Sequence, residues 1–100
     1  MERADRVKVV ISWQILYTQE CRRDVERLSS QLKNRLEVLG ALFEQNPFHP
    51  RLHTHKLTGR LRDLWSFSLD FHHRVIFEFI DSHTVLLLRA GDHSIYRHYR

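Results

Sequence analysis

The stretch HTHKLTGRLRDLWSFSLDFHHRVIF, residues 53–77, holds four histidines, a lysine, three arginines and a tryptophan before it turns apolar. Farther on, GDHSIYR at 91–97 adds His93 and Tyr96. Three chemistries use such residues. A metal site needs ligands at fixed spacing, and here there is no cysteine pair and no His-Glu-x-x-His, so no metal or other cofactor is expected. A serine or cysteine nucleophile needs its own setting. No Gly-x-Ser-x-Gly and no glycine-rich phosphate loop occurs, and Cys21 falls in an apolar helical stripe, where a buried, inert thiol is expected. The third chemistry combines histidine, arginine, lysine and tyrosine. One group takes the proton of a ribose 2′-hydroxyl, another protonates the leaving 5′-oxygen, and cations stabilise the charge gathering on phosphorus. The 2′-hydroxyl would make such cleavage specific for RNA.

The elements that must position these groups follow from periodicity. VKVVISW, Val7–Trp13, is rich in β-branched residues and predicts an early strand. From Thr18, a candidate N-cap, apolar side chains at Cys21, Val25, Leu28, Leu32, Leu36, Leu39 and Phe43 recur at helical spacing. Ser29-Ser30 offers a second cap, which predicts two helices meeting at a tight corner, and NPFHP stops the second. LWSFSLD alternates Trp65, Phe67 and Leu69 with Ser66 and Ser68, and RVIFEFI places Val75, Phe77 and Phe79 on one face. TVLLLRA is almost wholly apolar, as a central strand covered on both sides would be. The short links FHH and DSH make these three runs antiparallel neighbours. The expected class is α+β in the order β-α-α-β-β-β: a helical pair on a small, mostly antiparallel four-stranded sheet, with Cys21, Val25, Leu36 and Phe77 buried.

Composition sets the outer bounds. One hundred residues suit a single domain, 1–100, and 42% hydrophobic residues with three glycines and two prolines exclude disorder. One cysteine allows no internal disulfide, and no apolar run is long enough to span a bilayer, so a cytoplasmic protein is expected. Net charge is +4; the chain carries eight basic and seven acidic side chains before residue 46, and eight and five after it, with all eight histidines in the later part. That excess suits a polyanion or an acidic protein partner.

HKLTGRLRDLWSFSLDFHHRVIFEF followed by GDHSIYR resembles the RelE/ParE superfamily of bacterial type II toxins, nearest to its YafQ- and YoeB-like members, over essentially the whole chain. The pieces that carry the likeness are KLTG before LWS, the HRVIFEF strand and the glycine-acid-histidine turn ahead of IY. The resemblance implies an endoribonuclease that cuts mRNA, in association with the ribosome, and is neutralised in complex with an antitoxin. It implies Arg74 facing the scissile phosphate, His93 as a proton-transfer group, Tyr96 as a functional tyrosine and His55 as a further catalytic candidate. Lys56 and Arg60 would contact phosphate, and Trp65 matches the Trp-Ser of YoeB-like members. The plain alternatives are a core role for Trp65, an anchoring role for Tyr96 and an ion pair for Arg74. RelE-type enzymes carry two lysines where this chain has Trp65 and Phe67. That departure points to the alternative function, a non-nuclease member of the fold that inhibits gyrase or only binds its antitoxin.

Overall fold

The computed structural model describes residues 12–99. Strand β1, Gln14–Tyr17, leads into helices α1, Gln19–Glu26, and α2, Ser30–Gln45. A single 3-10 turn, Pro50–Leu52, then precedes β2, His55–Lys56, and a second, Gly59–Leu61, precedes β3, Trp65–Ser68. Strands β4, Arg74–Asp81, and β5, Thr84–Gly91, and the short helix α3, Ser94–His98, complete the chain. The sheet order is β1-β5-β4-β3-β2, with β1 parallel to β5 and every other pair antiparallel. The expected α+β fold is present, with one short edge strand, β2, added to the four.

The helical caps are those the sequence offers. Thr18 Oγ1 accepts the amide of Cys21 at 3.0 Å and donates to the carbonyl of Leu88 at 2.9 Å, so one hydroxyl both starts α1 and ties it to β5. Ser29 Oγ accepts the amide of Leu32 at 3.1 Å and starts α2. At the far end Asn46 Oδ1 accepts the amide of Phe48, a turn that suits the intervening Pro47.

Leu39 and Phe43 of α2 and Cys21 of α1 meet Phe67, Val75, Phe77, Val85 and Leu87 of the sheet in the main core. Phe43 meets Phe77 edge-on, with centroids 5.1 Å apart. Fully burying each such ring is worth about 1.5–3 kcal/mol. Val25 and Leu36, expected to be buried, are only half-buried, because they line an apolar groove between the two helices. Burial pushes the Cys21 thiol up to about 12, which makes it inert. Asp24, also buried, clamps α1 to β5: its Oδ2 accepts Arg89 Nε at 2.7 Å and the amide of Ala90 at 2.9 Å. A second core on the opposite sheet face joins Ile76 and Leu88 to Leu61, Leu64 and Ile95, so β5 is covered on both sides as its composition predicts.

Only the last two residues of the expected first strand, Val7–Trp13, fall among the described ones. Ser12 and Trp13 are not in a strand, β1 begins at Gln14, and the rest of the predicted run, 7–11, lies outside the described residues. The cause is where the hydrogen bonds go. The amide of Trp13 donates to the carbonyl of Glu44 at 2.8 Å, so α2 takes the donor, and ladder pairing with β5 begins one residue later. Among the described residues no helix is long and apolar enough to cross a membrane.

Candidate functional site

Cross-strand register assembles the site. Residues directly opposite in an antiparallel ladder share a face. His55 stands opposite Ser66, which stands opposite Ile76; Ser68 stands opposite Arg74, which stands opposite Gly91. Ile76 belongs to the second core, so both rows lie on the face turned away from α1 and α2. The rows are two residues apart along β3, about 7 Å at strand rise.

Helix α3 brings the next two groups onto this face. Gly91 opens the turn into it, and a Cβ there would stand 2.9 Å from Ile95 Cγ2, so only glycine permits the close approach. Asp92 Oδ1 accepts the amide of Ser94 at 2.9 Å. The Ser94 hydroxyl and amide together hold that carboxyl below its ordinary range. One turn on, the Tyr96 hydroxyl lies 2.9 Å from the Oγ of Ser66, a fully buried side chain on β3. The exposed ring of His93 lies over the ring of Tyr96, with centroids 6.0 Å apart and planes at 28°. Arg60 holds the helix in place by donating to the carbonyls of Tyr99 at 2.5 Å and Tyr96 at 2.7 Å. A guanidinium on the last carbonyls of a helix is a favourable end to its dipole.

At the end of the Ser68–Arg74 row a cleft of about 460 Å³ opens among Arg35, Arg51, His53, His55, Ser68 and Arg74. Arg35 reaches it from α2, where its Nε donates to the carbonyl of Leu69. Arg74 Nη1 donates to the carbonyls of Asp70 at 2.7 Å, Phe71 at 3.2 Å and His73 at 3.1 Å, which fixes the guanidinium at the cleft wall. Among the described residues Asp70 is the single acid of the lining, and its charge is occupied. Its Oδ1 accepts the amides of His72 and His73, each at 2.8 Å, and faces His73 Nδ1 at 2.9 Å. Burial alone would raise this carboxyl, but the His73 ring and the two amides outweigh burial and lower it. His55 Nδ1 lies 3.1 Å from the carbonyl of His53. A carbonyl only accepts, so Nδ1 carries the proton, and a neutral His55 keeps its lone pair on Nε2. His53 supplies that carbonyl from a left-handed backbone, φ 51°, a conformation few non-glycine residues adopt. Among the described residues no group of three or more histidine, cysteine or acidic side chains is placed to hold a metal ion.

No protein-family profile matches the chain, and comparison with curated proteins finds no match. Solved structures do. The YoeB/ParE toxin from Agrobacterium tumefaciens superposes with a TM-score of 0.68 at 17% identity, over 80% of this chain and 98% of that one. YafQ from Escherichia coli strain BL21(DE3) gives 0.69 at 17%, over 84% and 97%. The toxin–antitoxin complex RelBE2 from Mycobacterium tuberculosis gives 0.67 at 21%, over 82% and 99%.

The chain has the RelE/ParE toxin fold.

Within the RelE/ParE fold the residues singled out in the sequence do not all fall together. His55 and Arg74 share the cleft, and His93 and Tyr96 share the α3 corner; the buried Ser66, opposite His55 and bonded to Tyr96, links the two. Arg60 lies beside His93 and Tyr96, with its guanidinium on the end of α3. Trp65 is on the other sheet face, edge-on to Phe48 at 5.5 Å and to Phe79 at 5.3 Å. Lys56 stands opposite Trp65 and shares its face. Sequence reasoning passed over Ser66, Arg35, Arg51 and Phe71. Ser66 had a signal, a polar side chain alternating with apolar ones along a strand, on a face that the fold covers. Arg35 had none, since it is 20 residues from His55 and 39 from Arg74 in sequence; Arg51 is four residues before His55, but only the turn at Pro50–Leu52 brings it to the cleft.

Proposed function

We propose that this chain is the toxin of a type II toxin–antitoxin pair and an endoribonuclease that cuts mRNA at the ribosome without a metal. The observation that carries the reading is one sheet face holding His55, Arg74, Tyr96 and His93 beside a cleft whose only carboxylate among the described residues, Asp70, is already occupied by three donors. His55 Nε2 takes the proton from a ribose 2′-hydroxyl, and the oxygen attacks the adjacent phosphorus. The bond to the 5′-oxygen breaks as His93, protonated, supplies its proton. The products are a 2′,3′-cyclic phosphate and a 5′-hydroxyl. Arg74, with Arg35 and Arg51, stabilises the charge on the phosphoryl oxygens, and the Tyr96 hydroxyl orients the attacking group. Lys56, Arg60 and Trp65 add contacts to RNA outside this centre. An antitoxin partner is supported by the neighbour solved as a toxin–antitoxin complex. An mRNA substrate would place the work in the cytoplasm.

The test is growth arrest on induction, with mapping of mRNA 5′ ends and cleavage of ribosome-bound mRNA by toxin first stripped with EDTA and then freed of the chelator. His93→Ala should slow cleavage about 10²–10⁴-fold and Arg74→Ala about 10²–10³-fold, with both proteins still folded. Cleavage that the stripped toxin has lost and that stoichiometric zinc restores would refute the metal-free mechanism. A second reading, a non-nuclease toxin directed at gyrase or at its antitoxin alone, is favoured by one observation. The residues of β3 on the face that carries His55 and Arg74 are Ser66 and Ser68, and no lysine stands on that strand. Growth arrest with intact mRNA and damaged DNA would establish it instead.

A further inference from the structure

Phe71 is the most exposed large apolar side chain among the described residues, at 83%. It sits at the tip of the turn joining β3 to β4 and forms part of the rim of the Arg35–Arg51–Arg74 cleft. An exposed ring on a loose loop would mean little. This turn is braced on both sides of the ring. Asp70 Oδ1 accepts the His72 and His73 amides, and Arg74 Nη1 binds the carbonyls of Asp70, Phe71 and His73. The same arginine that walls the cleft therefore also fixes the backbone that presents the ring. His72 meets Phe71 in a T-shaped pair, with centroids 5.1 Å apart and planes at 85°, and the phenyl ring still stays 83% exposed.

An aromatic face held rigidly beside a cationic groove matches one ligand chemistry well. Single-stranded nucleic acid stacks its bases on such rings and lays its phosphates along the cations. A protein partner would also bury a phenyl ring, but an exposed ring at the rim of a cleft lined by Arg35, Arg51 and Arg74 pairs an aromatic face with cations in the way single-stranded nucleic acid uses both. We propose that Phe71 is a base-stacking platform: it takes a nucleobase of single-stranded RNA next to the phosphate bound in the Arg35–Arg51–Arg74 cleft. The inference rests on the reading of that cleft as a phosphate site. Every base has a π-face, so Phe71 sets affinity and the position of the strand over the cleft and does not choose the base.

The experiment measures binding of the full chain to a fluorescein-labelled 2′-O-methyl RNA 12-mer, which lacks the attacking hydroxyl, across a salt series. Circular dichroism checks the fold of each variant. Phe71→Ala should weaken binding about 5- to 150-fold, the range for losing one stacked base. Its salt slope should match wild type, whereas Arg74→Ala lowers that slope by about one. Phe71→Trp should restore affinity, and the emission it adds should be quenched by the RNA. An abasic strand of the same length should bind wild type as weakly as the intact strand binds Phe71→Ala. Unchanged affinity in Phe71→Ala, or restored affinity in Phe71→Trp without quenching, overturns the platform; if wild-type binding still depends on salt and on Arg74, the cleft reading survives. No salt-dependent binding by wild type overturns both. Full RNA affinity in Phe71→Ala with lost neutralisation by the protein of a neighbouring reading frame assigns the ring to a protein interface and also overturns the platform.

Discussion

Tyr96→Phe separates an anchoring tyrosine from one that works on substrate. In the folded protein its hydroxyl meets Ser66 Oγ at 2.9 Å, and Ser66 is fully buried. Removing the tyrosine oxygen leaves the serine hydroxyl in the sheet without that partner, and a buried polar group in this state costs about 1–3 kcal/mol. Tyr96 itself is half-buried, so water relieves part of the loss, and about 1–2 kcal/mol is the working figure. For a chain of 100 residues that lowers Tm by roughly 4–16 °C. Ser66→Ala in the same protein removes the stranded group, so the double variant should recover most of the loss. Thermal unfolding followed by circular dichroism gives the coupling energy of the cycle, expected near 1 kcal/mol. Cleavage gives the second readout. If the hydroxyl orients the attacking group, Tyr96→Phe cleaves slowly and Tyr96→Phe/Ser66→Ala stays slow, because alanine restores packing and supplies no hydroxyl. Cleavage that recovers together with Tm would make Tyr96 an anchor only. Additive losses of stability, with a coupling below about 0.3 kcal/mol, would refute the hydrogen bond as the link between α3 and β3.

Asp24→Ala leaves the Arg89 guanidinium and the Ala90 amide without their carboxylate. Breaking a buried pair costs about 3–5 kcal/mol, and with Arg89 24% exposed about 2–4 kcal/mol is expected; a urea midpoint within error of wild type would contradict it. Cleavage per folded molecule should be unchanged, since the clamp lies on the α1 side of the sheet. The Asp70 brace gives a pH dependence of definite sign. Its carboxyl is lowered in the folded chain, so its contribution is fully present above the unfolded value of 3.8 and disappears as pH falls through the lower folded value. Exchange of the His72 and His73 amides should therefore stay slow down to about pH 4 and quicken only below it; loss of protection already near pH 5 would count against the brace.

Much of the scaffold was legible because its signals are local. Thr18 and Ser29 announce helix starts through side chains that reach amides three residues on. The stripe from Cys21 to Phe43 records the helical turn, and the alternation of Trp65, Phe67 and Leu69 records the pleat. The limits are equally specific. β-branched composition marked a strand at Val7–Trp13, but only the Glu44 carbonyl at the end of α2 decides that Trp13 stays out of the ladder. His55-Lys56 carries no strand signal, and it becomes one by lying beside Ser66 and Trp65.

Residue type alone marks the histidines, arginines and tyrosine as groups able to carry the proposed chemistry, and the resemblance to RelE/ParE toxins implies roles for several of them. Which of them meet depends on how the whole chain packs. Strand register puts His55 and Arg74 on one face, and turns Trp65 and Lys56 to the other. A hydroxyl 30 positions away in the chain docks Tyr96 on Ser66. Arg35 and Arg51 reach the cleft from elements that precede β2, and the Asp70–Arg74 brace lifts Phe71 to its rim. Side-chain type and short-range period are properties of a few consecutive residues, and any reader of the chain has them. Register, bulges and the approach of distant segments are set by packing the whole chain against itself, and no window of the sequence contains that sum.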